Sequence, residues 1–163
     1  MKLEIKRLKE LGLEPVFMPN SLKGTEFLAN NPEAKANDLI EAFANDEILC
    51  AIGGFNTYKT APFLLNNDFF KEIVQKKPKI FIGFSDTTVN HLMFRKLGLN
   101  TFYGHSFLVD FAELDDQMLE YSKKHLKYYF LITKILKLRL ANIDLKKEKI
   151  FQWILWELQE LNI

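Results

Sequence analysis

The sequence has one cysteine, Cys50, and few residues that interrupt regular structure, with seven glycines and five prolines in 163 residues. A single cysteine can form neither an intrachain disulfide nor a cysteine-rich metal cluster. Cys50 stands in the apolar run 47–52. We interpret it as a core residue and predict neither a metal nor another cofactor.

The sequence also lacks an excess of charge and a membrane-spanning run, and we expect no signal peptide. Lys and Arg number 22 against 21 Asp and Glu, for a formal charge of +1, so no global field favours nucleic acid or an anionic membrane. No segment reaches the roughly 18 apolar residues of a membrane span. Charges interrupt the apolar positions of residues 1–14, unlike a signal peptide. We expect a cytoplasmic protein that selects partners through a local site.

What the sequence does contain is an alternation of strand and helix patterns up to about residue 115. The runs 47–52 and 79–83 are nearly continuously apolar, as in strands covered on both faces. We expect shorter strands at 13–17 and 101–103 and a loop over 18–30. Helices are predicted over 2–11, 31–45 and 68–76 and after Ser85, the last with Val89, Leu92, Met93 and Leu97 inward. This order predicts an α/β fold, an open and mostly parallel sheet flanked by helices.

From about Tyr121 the pattern changes to long helical stretches without glycine or proline. We therefore predict an α/β domain over residues 1–120, followed by a helical C-terminal tail over 121–163. The segment 150–161 has apolar residues on more than one face, a surface that needs a partner or a core to cover it.

The strongest local signal for chemistry is the segment 82–88, IGFSDTT, in which an apolar strand runs into a serine and then into a helix. A nucleophile elbow requires this strand–turn–helix context. Ser85 would stand exposed on the turn, and the Asp86 backbone N–H at the helix N-terminus can stabilise an oxyanion. The pattern is G-x-S-x-T, which weakens an ordinary α/β-hydrolase interpretation. On motif shape alone, a Ser-Asp N-cap remains the alternative.

A second signal is the diglycine Gly53-Gly54, at the end of a predicted buried strand, where open α/β sheets bind ligands. Backbone N–H groups can approach a bound carbonyl or phosphate closely where side chains are absent. A plain tight turn is the alternative. A phosphate-binding Rossmann-like domain is disfavoured because the G-x-G-x-x-G spacing is missing.

Together these signals and their flanks resemble the LD-carboxypeptidase family, which includes muramoyltetrapeptide carboxypeptidases and microcin C self-immunity peptidases. The resemblance rests on AIGGFNTYKTAPFL at 51–64 and KPKIFIGFSDTTVNHLMFRKLGLNTFYG at 77–104. The stretch 31–48 also resembles a helix of the family, with Lys35 where arginine is usual.

The resemblance implies a serine peptidase that cleaves an amide bond near a substrate carboxylate with a Ser-His-Glu triad, in muropeptide or peptidyl-nucleotide substrates. It implies Ser85 as nucleophile and the backbone N–H groups of Asp86 and Gly54 as the oxyanion hole. It implies Gly53 and Phe55 as substrate-binding residues.

The sequence departs from the family at both ends. The family's opening strand is missing before Met1, and the C-terminal domain that carries its glutamate and histidine cannot be aligned beyond about Tyr121. We therefore expect a truncated chain that is inactive alone. We expect local structural or surface roles for His91 and His105, with general base as the minority alternative, and a solvated position for His125.

A non-catalytic interaction module, or half of a split enzyme, is the competing interpretation. It would dock a second copy or a complementing chain through the apolar tail around Trp153, Ile154 and Trp156. The acidic residues near 110–116 lack a calcium-loop pattern and predict a solvated loop. The aromatic and basic residues at 128–139 predict an amphipathic helix rather than a nucleic-acid site.

Overall fold

The computed structural model describes residues 2–54, 57–107, 110–111 and 117–129. The chain divides into two units, Met1–Leu119 and Glu120–Ile163. In the second unit residues 120–129 are helical. The rest of the predicted tail, including the apolar segment around Trp153, lies outside the described residues, and the predicted domain division stays a prediction.

The first unit contains a parallel sheet of three strands in the order β1-β2-β3. The strands are β1 (Cys50–Ile52), β2 (Ile80–Gly83) and β3 (Phe102–Tyr103). Ile52 is level with Ile82 and Gly83 is level with Tyr103, so all three strands end at the same edge of the sheet. The predicted parallel α/β fold is confirmed.

Helices precede and connect these strands. They are α1 (Lys2–Glu10), α2 (Thr25–Asn30), α3 (Pro32–Ala44), α4 (Ala61–Leu65), α5 (Asp68–Lys76) and α6 (Thr88–Lys96). Local signals explain several bounds: a proline opens α3, the Asn67 side chain accepts a hydrogen bond from the Phe70 amide at 2.8 Å to cap α5, and Gly98 with φ +89° follows α6. None of the helices in the described ranges is long and apolar enough to cross a membrane.

Three local predictions were wrong. Residues 13–17 form no strand, and the predicted loop at 18–30 contains the short helix α2, which packs Leu28 into the protein. In α6, Val89 and Leu92 are exposed. The buried face of α6 carries Asn90, Met93, Phe94 and Leu97. Polar Asn90 stands at the first position of this i, i+3, i+4, i+7 series, so apolar residues alone did not indicate the inner face.

The core of the first unit is a cluster of aromatic rings from three helices and the central strand. Phe43, Phe70, Phe81 and Phe94 are fully buried. The ring of Phe94 lies 5.2 Å from that of Phe43 and 4.7 Å from that of Phe81. These contacts join α3, α5 and α6 to the face of β2, and so fix the strand that leads into the Ser85 turn.

Neighbouring phenylalanines on α5 test this core. Phe70 is fully buried, whereas Phe69 is 56% exposed. We expect Phe70→Ala to lower the free energy of unfolding by about 3–5 kcal/mol, since it removes a large buried side chain and leaves a cavity. Phe69→Ala should change it by less than about 0.5 kcal/mol. Urea unfolding of both variants measures the difference, and equal losses would contradict the assignment of faces on α5.

Candidate active site

The chain makes a strained turn directly after β2. Ser85 has φ +56°, a left-handed value that no other non-glycine residue in the described ranges adopts. Residues Ser85–Thr87 form a single 3-10 turn, and α6 begins at Thr88. The Ser85 side chain is exposed. An exposed serine on a strained strand-to-helix turn is the geometry of a nucleophile elbow.

Thr87 joins this turn to the diglycine loop. A Cβ atom placed on Gly83 would collide with the Thr87 hydroxyl, and one placed on Gly53 would collide with the Thr87 methyl group. Thr87 is itself 2% exposed and donates a hydrogen bond to the Phe84 carbonyl at 3.1 Å. The side chain of Thr87 thus fills the space beside Gly83 at the end of β2 and Gly53 directly after β1, and the two predicted site segments meet there.

A buried hydrogen-bond chain supports the diglycine loop from α6. The Asn90 side-chain amide donates to the Thr60 hydroxyl at 2.9 Å, and that hydroxyl donates to the Thr57 carbonyl at 2.6 Å. The Thr57 hydroxyl lies against Gly54, where it accepts the Gly54 N–H at 3.2 Å and donates to the Gly54 carbonyl. The amide predicted to hold an oxyanion is therefore directed at a neighbouring hydroxyl.

Two side-chain hydroxyl groups bind the backbone N–H and C=O groups of Ser85. Its N–H donates to the Tyr103 hydroxyl at 3.0 Å, and its carbonyl accepts from the Thr88 hydroxyl at 2.6 Å. Once Tyr103 is ionised, the Thr88 hydroxyl and the Ser85 amide can both donate to its oxygen, and this stabilisation of the phenolate places the pKa of Tyr103 below its ordinary value.

The Asp86 side chain connects the turn to α3. Lys35 is half-buried, and burial lowers its pKa although the nearby charges of Asp86 and Asp38 oppose that shift. Asp38 accepts hydrogen bonds from the backbone and side chain of Asn20, at 3.0 and 2.9 Å. Asp86, the residue after Ser85, thus interacts with the charge of Lys35 on α3.

His91 is engaged in structural hydrogen bonds. Its Nε2 lies 3.0 Å from the Gly83 carbonyl and its Nδ1 lies 2.7 Å from the Thr101 hydroxyl. A carbonyl only accepts, so Nε2 carries the proton and the Nδ1 of the neutral ring accepts from Thr101. Burial lowers the pKa of His91, which favours this neutral form.

The other titratable candidates also have partners away from the turn. His105 is buried and its Nδ1 lies 3.1 Å from Asp110, while the Nδ1 of His125 lies 2.9 Å from the Tyr121 carbonyl. Cys50 is half-buried, and burial raises the pKa of its thiol to about 12, so it is protonated at neutral pH. No group of three His, Cys, Asp or Glu residues suited to a metal occurs in the part of the chain that the structure describes.

The structure thus brings Gly53 together with Thr87 of the Ser85 turn, and Gly54 is the next residue in the chain. The other predicted substrate-binding residue, Phe55, lies outside the described residues. Sequence reasoning missed the supporting contacts of Thr87, Thr88 and Tyr103. The G-x-S-x-T spacing was the available signal for Thr87. A cavity of about 560 Å³ opens elsewhere, at the start of α3, and none of these residues lines it.

These features define a class: an open parallel α/β domain that presents a serine on a nucleophile elbow beside a glycine loop. Residues 1–104 match the LD-carboxypeptidase N-terminal domain. The chain belongs to the LD-carboxypeptidase family, as its motifs predicted.

Individual relatives agree with this assignment. The chain is 40% identical over 114 residues to a probable murein peptide carboxypeptidase of Bacillus subtilis (strain 168), which covers 67% of this chain and 34% of the relative. It is 37% identical over 83 residues to the microcin C7 self-immunity protein MccF of Escherichia coli, covering 48% of this chain and 23% of that protein. The matched segment is therefore about a third or less of each relative's length.

A solved structure shows the same fold. The MccF-like protein from Streptococcus pneumoniae, crystallised in complex with AMP, is 56% identical to this chain and superposes with a TM-score of 0.69. The similarity covers 77% of this chain and 37% of that chain.

The adjacent glycines of the loop test the packing of Thr87. We expect Gly53→Ala to be destabilising by about 1–3 kcal/mol, because the new Cβ would overlap Thr87. Gly54→Ala meets open space and should cost far less. Thr87→Ser removes the methyl group and should reduce the cost of Gly53→Ala in a double-mutant cycle of unfolding free energies. Full additivity of the two changes would contradict the close packing.

The stability of the protein should depend on pH through His91. Its folded-state pKa lies below the ordinary value of 6.5, so between the two values the unfolded chain binds more protons and stability rises with pH. This contribution is complete above 6.5 and is lost as pH falls from there towards the folded-state pKa.

Urea unfolding at about pH 7.5 and about pH 5.5 measures this effect. We expect His91→Gln to lose part of the wild-type dependence on pH, because glutamine keeps a donor for the Gly83 carbonyl without titrating. His125→Gln, on the exposed helix, is the control and should keep it. An unchanged dependence in His91→Gln would refute this source of the pH effect.

Proposed function

We propose that this chain supplies the nucleophile-bearing part of an LD-carboxypeptidase-type serine hydrolase that cleaves an amide bond, with Ser85 as the nucleophile. The observation that carries the proposal is the left-handed Ser85 on an exposed turn between β2 and α6. The family membership of residues 1–104 and the similarity to carboxypeptidases support the same chemistry.

In this reaction the Ser85 hydroxyl attacks the substrate carbonyl and the negative charge develops on the carbonyl oxygen. The Asp86 N–H, at the start of the helical segment, is one proposed donor to that oxygen, and Gly54 N–H is the other. For Gly54 to serve, the oxyanion has to replace the Thr57 hydroxyl as the acceptor of its N–H. A charged oxyanion is the stronger acceptor, so this exchange is favourable.

The contacts of the described residues do not identify a proton acceptor for the Ser85 hydroxyl. His91 uses both ring nitrogens in hydrogen bonds, and His105 pairs with Asp110. The sequence has three histidines and all three are described; the third, His125, has its Nδ1 at the Tyr121 carbonyl. We therefore propose that the histidine of the triad comes from a second chain, and that the glutamate comes from residues outside the described part of this chain or from a second chain. The isolated 163-residue chain is then a poor catalyst, since loss of a triad member costs about 10⁴-fold or more in kcat.

For the substrate we propose a peptide with a free carboxylate near the scissile bond. A relative is named as a murein peptide carboxypeptidase, and another as a microcin C7 self-immunity protein. The structural neighbour was crystallised with AMP. Muropeptides and peptidyl-nucleotides are accordingly the two substrate classes to assay.

A chimera tests the function. Residues 1–104 of this chain are joined to the remaining C-terminal part of the Streptococcus pneumoniae relative, and D-alanine release from an L,D-linked muropeptide tetrapeptide is measured beside hydrolysis of a peptidyl-adenylate. We expect hydrolysis of one substrate, and a loss of about 10⁴-fold or more in Ser85→Ala. Ser21→Ala, on an exposed turn, is the matched control and should keep full activity.

The 163-residue chain is assayed in parallel. We expect it to be slower than the chimera by a similar factor of about 10⁴. A folded chimera whose activity survives Ser85→Ala would disprove the nucleophile assignment. Ser85-dependent turnover by the 163-residue chain at the rate of the chimera would show instead that the triad is completed within this chain or its oligomer.

A further inference from the structure

The left-handed conformation of Ser85 raises the question of what holds it. A non-glycine residue at positive φ persists only where its surroundings over-determine it. We propose that Tyr103 and Thr88 are positioning residues for the nucleophile, and that their two hydroxyls form a closed ring of hydrogen bonds with the peptide N–H and C=O of Ser85. The catalytic consequence rests on the proposed function, whereas the ring itself does not.

Two sides of the ring are direct contacts to the Ser85 backbone. The Ser85 N–H donates to the Tyr103 oxygen at 3.0 Å, and the Thr88 hydroxyl donates to the Ser85 carbonyl at 2.6 Å. Both backbone polar groups of one residue are thus bound by side chains. These contacts define the orientation of the peptide groups on either side of the Ser85 Cα, and therefore φ and ψ at that residue.

The third side joins the two hydroxyls. Their oxygens lie 3.4 Å apart, which is longer than an ordinary O–H···O hydrogen bond, so this is the weakest side of the ring. Thr88 has one hydroxyl proton, and the closer carbonyl of Ser85 takes it because a carbonyl can only accept. The Tyr103 proton is then the one available for the contact with Thr88. The Tyr103 and Thr88 hydroxyls each donate one hydrogen bond and accept one, so all the hydrogen bonds run the same way around the ring.

Tyr103 is fixed by the sheet and not by a loop. It is level with Gly83 in the pairing of β3 with β2, and the following Gly104 N–H donates to the Gly83 carbonyl at 3.1 Å. Its ring packs on the imidazole of His91, with ring centres 5.2 Å apart. His91 also bonds to the Gly83 carbonyl. The Tyr103 side chain is therefore attached to the same pair of strands, β2 and β3, that leads into the Ser85 turn.

The ring should matter for the rate more than for substrate binding. The direction of the Ser85 Cα–Cβ bond and of the Asp86 N–H both depend on the Ser85 backbone angles. A turn that relaxes from them moves the nucleophile and a proposed oxyanion donor together, and small misplacements of reacting groups cost large factors in rate. Neither hydroxyl is assigned a proton transfer with the substrate.

Amide hydrogen exchange in the 163-residue chain tests the ring without requiring activity. In ¹⁵N-labelled protein, Tyr103→Phe keeps the aromatic ring but removes the acceptor. We expect exchange at the Ser85 amide to accelerate by about five- to tenfold, the effect of one lost hydrogen bond. The Ile82 amide, inside β2, should be unaffected. Tyr128→Phe, on the helix at 120–129, is the matched control and should leave both amides unchanged.

The outcomes distinguish a local effect of the Tyr103 hydroxyl on Ser85 from a general loss of stability. Unchanged exchange at Ser85 in Tyr103→Phe would overturn the ring, and equal acceleration at Ile82 and Ser85 would show general destabilisation and overturn it too. Thr88→Val removes the second hydroxyl and should also accelerate exchange at Ser85, while Thr88→Ser keeps the hydroxyl and should restore the wild-type rate. A Thr88→Ser protein that behaves like Thr88→Val would count against the ring.

Kinetics of the chimera test the catalytic consequence. We expect Tyr103→Phe to lower kcat about tenfold or more and to leave KM within about twofold, since only positioning changes. A rise in KM at unchanged kcat would overturn the positioning role. A chimera that is inactive in every variant would be a failure of the proposed function, and the exchange at Ser85 would still decide whether the ring exists.

Discussion

The packing of Thr87 between two glycines is the constraint on which the site depends. Strands β1 and β2 end level with each other, and the space beside their ends is occupied by one threonine side chain. Any residue larger than glycine at Gly53 or Gly83 would push Thr87 away and change the start of α6. The G-x-S-x-T pattern has a physical explanation here: the threonine at its last position needs the room left by Gly83, the first residue of the pattern, and by Gly53 directly after β1.

Helix α6 supports both halves of the site from its buried face. Asn90 begins the hydrogen-bond chain to the diglycine loop, and His91 bonds to the carbonyl of Gly83 ahead of the serine. Phe94, one turn further along, packs α6 into the aromatic core. A single helix therefore transmits the rigidity of the core to the Ser85 turn and to the loop that faces it. Such support is what a preorganised oxyanion site requires.

The sequence predicted the parts of the fold that depend on local signals. The bounds of α5 match the helix predicted before Pro78, and β2 and β3 lie within the strands predicted at 79–83 and 101–103. The position of Ser85 follows from a strand running into a helix. The inner face of α6 was not predictable in this way, because buried Asn90 and His91 are held by partners distant in sequence. The hydrogen bond of Tyr103 to Ser85 spans 18 residues and arises only from strand pairing. The periodicity of apolar residues in the sequence does not predict such tertiary contacts between polar groups.

The polar groups around Ser85 serve to hold it and not to take its proton. The two ring nitrogens of His91 face a carbonyl and a hydroxyl, and its lowered pKa keeps it neutral without making it accessible. The Tyr103 oxygen faces the backbone of Ser85. A general base must present a lone pair to the nucleophile within hydrogen-bond reach, and in the described part of the chain the histidines are bonded elsewhere. Under the proposed function, the first unit would hold Ser85 and its two amide donors in place, and the proton acceptor would approach Ser85 from the exposed side of the turn.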